Sequence, residues 1–352
     1  MMSGSGKRNS TMEVLRILAM VLVMLVHAAF MSTGLPDKNM LIDRPLVGLG
    51  LYLQSALSVV CVNVFVLLSG WYGIHWHPKR LVSLLFQVLF FAILVFGVLA
   101  IVKPSQYLNA NAAGTILMIH GNDYWFIKSY ILLFIFAPVL NLYVEHCSQR
   151  QLLLTLVAFY LFQTVYGWLS IEGAADLCGG YSALSFMGLY LLSKYVRRYV
   201  FDKESFQAIA HKSRKFLGTY LGICLVHTCV AFVVTRMGFP VAGRIFTYTN
   251  PLVIVQSLCL LLVFATMKPT YNRMVNWIAA SSLAVYLLHA DELVLRPYYA
   301  HYIGQVFQHY SYPLYLLIVV AVMIGVYVLA LMIDQVRILI WNKIAMLVWK
   351  QR

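Results

Sequence analysis

Long apolar stretches alternate with short polar segments along the whole chain. Ten of these stretches approach the roughly 20 consecutive apolar residues that a transmembrane helix needs. They cover residues 12–30, 49–74, 81–102, 124–144, 152–169, 182–196, 216–235, 251–267, 277–295 and 313–333. The pattern predicts an all-α fold, a polytopic transmembrane helical bundle of about ten spans. Because no linker or change of composition divides the chain, residues 1–352 are predicted to form a single membrane-embedded domain.

The first apolar stretch carries three ionisable residues: Glu13, Arg16 and His27. Ionisable side chains at membrane depth are costly and indicate a functional site by default. A helix brings Arg16 and His27 to nearly the same face and separates them by about 16 Å along its axis. Glu13 precedes Arg16 by three residues, a spacing that allows an ion pair. This stripe therefore predicts a polar site inside the bundle.

The composition narrows the class of protein further. The chain is 62% hydrophobic and 11% charged, whereas soluble domains carry roughly 25% charged residues. A formal net charge of +14 could indicate nucleic-acid binding, but an excess of Lys and Arg is also what the positive-inside rule produces in a multi-span protein. We therefore expect the lipid bilayer, and no nucleic acid, as a partner. The six cysteines form no CxxC pair and indicate neither a disulfide framework nor a metal site.

The distribution of basic residues predicts the orientation in the membrane. Most of the 26 lysines and arginines fall in segments that lie on one side when the N-terminus is inside, so both termini are predicted to be cytoplasmic. Arg16 is then near the cytoplasmic face, and His27 lies beyond the bilayer midplane. Residues 334–352 mix basic residues with tryptophan and aliphatic residues. They are predicted to form an amphipathic cytoplasmic tail on the inner leaflet.

Two histidines are candidates for chemistry. The neutral imidazole of His27 suits general-base work on a hydroxyl, because the pKa of histidine is near neutral. His289, in the ninth apolar stretch, is expected at a similar depth. For each residue the structural alternative is a hydrogen bond between packed helices, which is common in membrane bundles. The residues alone leave both readings open.

A group of polar residues at the predicted inner face could hold a phosphate. Arg16, the pair Lys79 and Arg80, and Ser69 in a serine-glycine turn belong to it. Basic groups around a helix end are a reasonable anion site. For Lys79 and Arg80 the positive-inside rule is the simpler explanation.

A second polar group is expected at the outer face. His120, Asp123, Trp125 and Lys128 lie within nine positions of the sequence, and an aromatic face beside polar groups suits a sugar. The alternative for Trp125 is the interfacial aromatic belt. The alternative for Lys128 is a side chain that extends to the membrane surface.

At four stretches, in order along the chain, the sequence resembles the acyltransferase 3 family of membrane acyltransferases. The stretches are the arginine–ten residues–histidine pattern of Arg16 and His27 behind the acidic Glu13, residues 63–71 (NVFVLLSGW), the run Trp125-Phe126-Ile127, and residues 282–289 (SLAVYLLH) with Tyr286 and His289. One departure is the reading VFVLL in the second stretch, where the family often has paired phenylalanines.

The resemblance implies transfer of an acyl group, usually acetyl, from cytoplasmic acetyl-CoA to a carbohydrate hydroxyl on the outer side. It makes His27 and Arg16 the essential residues, with Glu13 beside them in the same stripe. Arg16, Ser69, Lys79 and Arg80 are then expected on the donor side. The residues expected near the acceptor are His120, Trp125, Lys128, Tyr286 and His289.

The resemblance thus implies an O-acetyltransferase of a bacterial inner membrane. We expect it to acetylate a surface polysaccharide or a lipid-linked glycan, with acetyl-CoA as co-substrate and no tightly bound cofactor. The alternative is a secondary transporter or exporter of a glycan or small acid, with Arg16, His27 and His289 as a buried relay. Such transporters have internal repeats and interrupted helices, and the sequence displays neither clearly.

Overall fold

A computed structural model describes residues 8–120, 123–170, 177–207, 209, 211–240 and 242–349. All regular elements in these ranges are helices, which confirms the all-α prediction. The first nine are α1 (Ser10–His27), α2 (Lys38–Asp43), α3 (Pro45–Ser58), α4 (Cys61–Tyr72), α5 (Pro78–Val102), α6 (Pro104–Tyr107), α7 (Ala110–Gly114), α8 (Trp125–His146) and α9 (Gln149–Phe162). The others are α10 (Ala183–Val196), α11 (Glu204–Gln207), α12 (Lys212–Arg236), α13 (Ala242–Ile245), α14 (Pro251–Ala265), α15 (Arg273–Ala280), α16 (Ser282–His289), α17 (Glu292–Val294), α18 (His301–His309) and α19 (Tyr312–Trp349). Wider π-helical turns at Ala28–Thr33, Gln163–Leu169, Arg197–Phe201 and Leu295–Ala300 extend α1, α9, α10 and α17.

Within the described residues, seven helical segments are long and apolar enough to cross a membrane. They are Ser10–Thr33, Pro45–Tyr72, Pro78–Val102, Trp125–His146, Gln149–Leu169, Lys212–Arg236 and Tyr312–Leu347. An eighth candidate is the pair Arg273–His289 and Glu292–His309, which is bent by 57°. The chain is therefore a multi-pass membrane protein with seven or eight candidate spans.

Two of the ten predicted spans correspond to shorter helices. The sixth is α10, which has 14 residues before its π-helical extension Arg197–Phe201, and the eighth is α14 with 15 residues. Helices of this length extend about 21 to 23 Å, short of the roughly 30 Å of a bilayer core. The number ten is not confirmed, and the cytoplasmic location of both termini stays a prediction.

The second candidate span lies at the centre of the bundle. Its most apolar part is 83% buried inside the protein, and α4 packs against α1, α10 and α14. Gly70 makes the contact with α10 possible: a Cβ atom there would lie 2.6 Å from the carbonyl oxygen of Tyr190 and 2.8 Å from Cβ of Ser193. A residue without a side chain lets the two backbones approach closely.

The start of α1 is attached to the segment between α14 and α15. Asn9 caps the helix, because its side chain accepts a hydrogen bond from the Thr11 amide. The Ser10 amide donates to the Thr270 carbonyl over 2.8 Å, and the Thr11 hydroxyl donates to the Lys268 carbonyl over 3.0 Å. These bonds hold the charged first turns of α1 in place.

The predicted ninth span is interrupted directly after His289. At the break, the Tyr124 hydroxyl is a hydrogen-bond donor 2.7 Å from both the Leu287 carbonyl oxygen and Oδ2 of Asp291. Asp291 in turn caps α17 by accepting from the Leu293 amide over 2.9 Å. A helix can break at membrane depth only where such partners satisfy the freed backbone groups.

The predicted tail, residues 334–352, is not a separate segment in the part that the structure describes. The last helix, α19, continues without a break from Tyr312 to Trp349. Asp334 is fully buried and accepts hydrogen bonds from Arg337 over 2.9 Å and from Gln87 of α5 over 3.1 Å. A buried charge is tolerable when it is paired in this way. The position of the tail on the inner leaflet stays a prediction.

Candidate active site

One large cavity runs through the bundle beside α1. Its volume is about 880 Å³, and it reaches from the first turn of α1 to the last. Seven predicted site residues line it: Glu13, Arg16, His27, Ser69, Arg80, Trp125 and Tyr286. The helical rise separates Arg16 from His27 by about 16 Å, so the cavity connects two chemically different ends.

The end at the start of α1 is basic. Nε of Arg8 lies 2.8 Å from one carboxylate oxygen of Glu13, and Nη1 of Arg16 lies 2.5 Å from the other. The Glu13 side chain is 6% exposed, whereas those of Arg8 and Arg16 are 48% and 29% exposed. Arg80 also lines the cavity and donates to the His75 carbonyl over 3.3 Å. The guanidinium groups of Arg8, Arg16 and Arg80 outnumber the single Glu13 carboxylate, and the resulting net positive charge suits an anion.

Glu13 belongs to this basic end and not to the imidazole. It precedes His27 by fourteen residues, which corresponds to about 21 Å along the helix axis. Its carboxylate is occupied by Arg8 and Arg16. Direct contact between Glu13 and the imidazole does not fit this geometry, so Glu13 can affect chemistry at His27 only through the two arginines.

The two remaining residues expected on the donor side differ in position. Ser69 lines the cavity, and its hydroxyl donates to the Phe65 carbonyl over 3.0 Å and lies 3.3 Å from the Tyr130 hydroxyl. Lys79 is exposed in the first turn of α5 and is not among the residues that line the cavity. Its neighbour Arg80 is, so the structure separates the members of this basic pair.

His27 lies at the other end, where α1 changes into the wider turn Ala28–Thr33. Its Nδ1 is 3.1 Å from Nε2 of His289. Nδ1 of His289 is 2.6 Å from the Val285 carbonyl oxygen. His289 is 1% exposed and is not among the lining residues of the cavity, whereas His27 is. The two predicted histidines are therefore in contact, and only His27 is in the cavity wall. Single π-helical turns are frequent at functional sites.

Aromatic rings form part of the cavity wall. Trp125 and Tyr181 have ring centroids 4.4 Å apart, and Tyr181 and Tyr248 are 5.1 Å apart. Phe126 packs against Tyr286 with centroids 5.6 Å apart. All five line the cavity. Faces of this kind can hold an apolar arm or the face of a sugar ring.

The three polar members of the predicted outer group, His120, Asp123 and Lys128, are joined by hydrogen bonds, but they do not line the cavity. Nζ of Lys128 donates to the His120 carbonyl over 2.8 Å. The His120 ring is 2.9 Å from the Asn111 carbonyl oxygen, and the backbone amide of His120 donates to the Asp123 carboxylate over 3.2 Å. Neither His120 nor Lys128 is among the lining residues, whereas the adjacent Trp125 is.

The sequence reading missed several lining residues. Arg8 precedes the first apolar stretch, and His75, Tyr181 and Tyr248 lie in segments between the main helices. No periodicity marks such positions, and only the fold brings them to the cavity. For Arg8, its spacing of five residues before Glu13 was a weak signal. Within the described residues, no group of three His, Cys, Asp or Glu side chains is arranged to hold a metal ion.

This fold and site define a class of protein: a multi-span helical bundle with ionisable residues around an internal cavity. The family model described as an acyltransferase domain, that of acyltransferase 3, matches residues 9–334, nearly the whole chain. The chain therefore belongs to the acyltransferase 3 family and is a membrane acyltransferase. No curated protein and no solved structure matches it.

Proposed function

We propose that the chain transfers an acetyl group from cytoplasmic acetyl-CoA to a hydroxyl of a surface polysaccharide or a lipid-linked glycan. The observation that carries the proposal is the cavity that joins the basic end at Arg16 to the imidazole of His27. Membership of an acyltransferase family supports it. The cell is bacterial in this proposal, and the membrane is its inner membrane. Acetyl-CoA is a co-substrate, and no tightly bound cofactor or nucleic acid takes part.

In this proposal the basic end binds the phosphates of the donor. Arg8, Arg16 and Arg80 neutralise the anionic head group through charge-assisted hydrogen bonds. Ser69 supplies a hydroxyl in the wall beyond them. The pantetheine arm extends along the cavity and brings the thioester to His27. Because such positioning replaces an encounter in solution, it accounts for much of the rate.

The acceptor enters from the outer side and places its hydroxyl between His27 and the thioester carbonyl. The unprotonated nitrogen of His27 takes the proton while the hydroxyl oxygen attacks the carbonyl carbon. The carbon–sulfur bond then breaks, and the departing thiolate takes the proton back from the imidazolium. The products are the acetylated glycan and coenzyme A. Trp125 and Tyr286 contact the acceptor in this scheme, and His120 and Lys128 can act only before the acceptor reaches the cavity.

The test is a comparison of His27→Ala with His309→Ala. His309 is exposed on α18, so its variant is a control for loss of a histidine. Loss of a general base lowers a rate by about 10²–10⁴-fold. We expect that loss for His27→Ala, and less than a twofold change for the control. The measurement is label transfer from radioactive acetyl-CoA to glycan in membranes, with glycan acetylation confirmed by mass spectrometry. Normal acetylation by His27→Ala would refute the assigned base.

One observation favours the transporter alternative. The break after His289 makes Arg273–His289 and Glu292–His309 an interrupted helix pair, and transporters often bind substrate at such breaks. Purified wild-type protein in liposomes separates the two functions. Transfer or hydrolysis of acetyl-CoA supports the acyltransferase. Uptake of a glycan or acid without any acyl transfer supports the transporter.

A further inference from the structure

His27, His289 and the Val285 carbonyl form a chain of hydrogen bonds in which each donor can be identified. Nδ1 of His289 lies 2.6 Å from the Val285 carbonyl oxygen. A carbonyl oxygen only accepts hydrogen bonds, so Nδ1 of His289 must carry the hydrogen. In neutral His289, Nε2 is then an acceptor. Nδ1 of His27, 3.1 Å away, must therefore be the donor.

The same direction decides the state of the other nitrogen of His27. With its hydrogen on Nδ1, the neutral imidazole has an unprotonated Nε2. Among the residues that the structure describes, His27 uses only Nδ1 in a hydrogen bond, and the residue lines the cavity. Nε2 is thus the nitrogen available to a hydroxyl in the cavity, with its lone pair free.

We propose that His289 is a positioning residue that holds His27 in the Nδ1–H tautomer, with Nε2 turned toward the acceptor hydroxyl. This inference rests on the proposed function, because it concerns the same base. It also changes the role expected of His289 from the sequence, which was contact with the acceptor. Both nitrogens of His289 are engaged within the protein, and its side chain is buried.

The surroundings of His289 hold the ring in one orientation. Its ring centroid lies 5.4 Å from that of Tyr299 and 6.4 Å from that of Tyr286. The Tyr299 hydroxyl donates to the Met24 carbonyl over 3.0 Å, which fixes the Leu295–Ala300 turn against α1. His289 is also the last residue of α16, directly before the break. The ring is therefore held by two helices and a turn that meet at this point.

The chain of hydrogen bonds also supports the proton transfer. When Nε2 of His27 accepts the acceptor proton, the ring becomes an imidazolium, and its Nδ1–H bond to His289 becomes charge-assisted and stronger. The proton returns to the thiolate sulfur from Nε2, so His289 neither gains nor loses a proton. As in a catalytic triad, a hydroxyl, a base and a third group that orients the base follow one another. Here the third group is a neutral imidazole.

The experiment compares His289→Gln with His289→Met. The two side chains have similar length and shape, and only the glutamine amide supplies a strong acceptor for Nδ1–H of His27. Label transfer from acetyl-CoA is measured in membranes that contain the natural acceptor, as a function of acetyl-CoA concentration. We expect kcat to fall at least about 100-fold for Met and less than about tenfold for Gln. The KM for acetyl-CoA should stay within twofold for both, because the basic end is remote.

The outcomes separate a positioning role from a structural one. Equal activity of the two variants, whether both normal or both lost, overturns the proposal, because packing alone would not distinguish Gln from Met. If the wild-type protein itself transfers no acetyl group, the proposed function fails, whatever the two variants do. Size-exclusion chromatography in detergent checks that each variant is folded.

A second measurement uses the wild-type protein and needs no variant. Diethylpyrocarbonate modifies unprotonated imidazole nitrogens, and mass spectrometry locates the modified residue. We expect modification of His27 at its free Nε2, protection of His27 by acetyl-CoA, and resistance of His289, because both of its nitrogens are engaged. Modification of His289 as fast as His27 overturns the proposal even if His289→Met does not fold.

Discussion

At the scale of single residues, the charged group at the start of α1 explains how a glutamate can lie inside a membrane protein. A buried carboxylate is strongly destabilising unless it is paired, and Glu13 is paired with both Arg8 and Arg16. The pairing also holds the two guanidinium groups at the cavity entrance, where Arg16 stays partly exposed. The sequence predicted the Glu13–Arg16 pair from helical spacing. Arg8 became part of it only through the fold.

This arrangement predicts the effect of Arg16→Ala on donor binding. Hydrogen bonds to charged groups contribute about 1.5–3 kcal/mol, which corresponds to a rise of about 10-fold to 150-fold in the KM for acetyl-CoA. The matched control is Arg150→Ala, at the exposed start of α9. We expect the control to leave KM within twofold. Apparent KM values from label transfer in membranes measure both effects, and an unchanged KM for Arg16→Ala would move the donor site elsewhere.

At the scale of helices, the central position of α4 depends on close packing against α10. Gly70 lies where any side chain would meet the backbone of Tyr190. The sequence pointed to the serine-glycine turn as part of a phosphate site. The structure gives the glycine a packing role and leaves Ser69, one position earlier, in the cavity wall.

The packing predicts that Gly70→Leu destabilises the bundle. Overpacking of a well-packed contact costs about 1–3 kcal/mol, and here the obstacle includes backbone atoms that cannot rotate away. Gly97 on α5 is the control, since a Cβ atom there meets nothing within 4 Å. Thermal unfolding in detergent should show a lower midpoint for Gly70→Leu and little change for Gly97→Leu. Equal midpoints would mean that α4 and α10 separate without cost.

At the scale of the whole molecule, the cavity gives the proposed reaction a direction across the membrane. The basic end at Arg16 receives an anionic donor, and the imidazole end receives an uncharged hydroxyl. This scheme requires that the start of α1 be cytoplasmic. In the ten-span prediction the basic residues of the segment after α10 lie on the cytoplasmic side, which favours that orientation by the positive-inside rule.

The orientation predicts which loops are accessible from outside the cell. Lys38 on α2 and Arg150 in the first turn of α9 are both exposed, and the three candidate spans between them place them on opposite sides. A membrane-impermeant maleimide should label Lys38→Cys in intact cells above the background of the unsubstituted protein. Arg150→Cys should be labelled only after the cells are permeabilised. The reverse pattern would invert the topology and put the donor end outside.

The sequence by itself determined the class of this protein, because only helices and closed β-barrels can span a bilayer. Every backbone polar group must be satisfied inside the membrane, so long apolar stretches become helices. The four stretches that resemble the acyltransferase 3 family, taken together and in order from Glu13 to His289, indicated that family, which the family comparison confirms. The number of spans depended on where the helices end: α14 has 15 residues and α10 passes into a π-helical turn at Arg197, so seven or eight candidate spans stand where the apolar stretches predicted ten.

Only the tertiary structure decided which of the candidate residues meet. His27 and His289 are 262 positions apart, and no local pattern encodes which face of one helix contacts another. The same holds for Lys79, which the fold leaves outside the cavity, and for Tyr248, which it brings in. Hydrophobic periodicity is a local property and can be read from the chain. The contact between the two imidazoles depends on the packing of the whole bundle, and the tautomer that we propose for His27 depends on that contact.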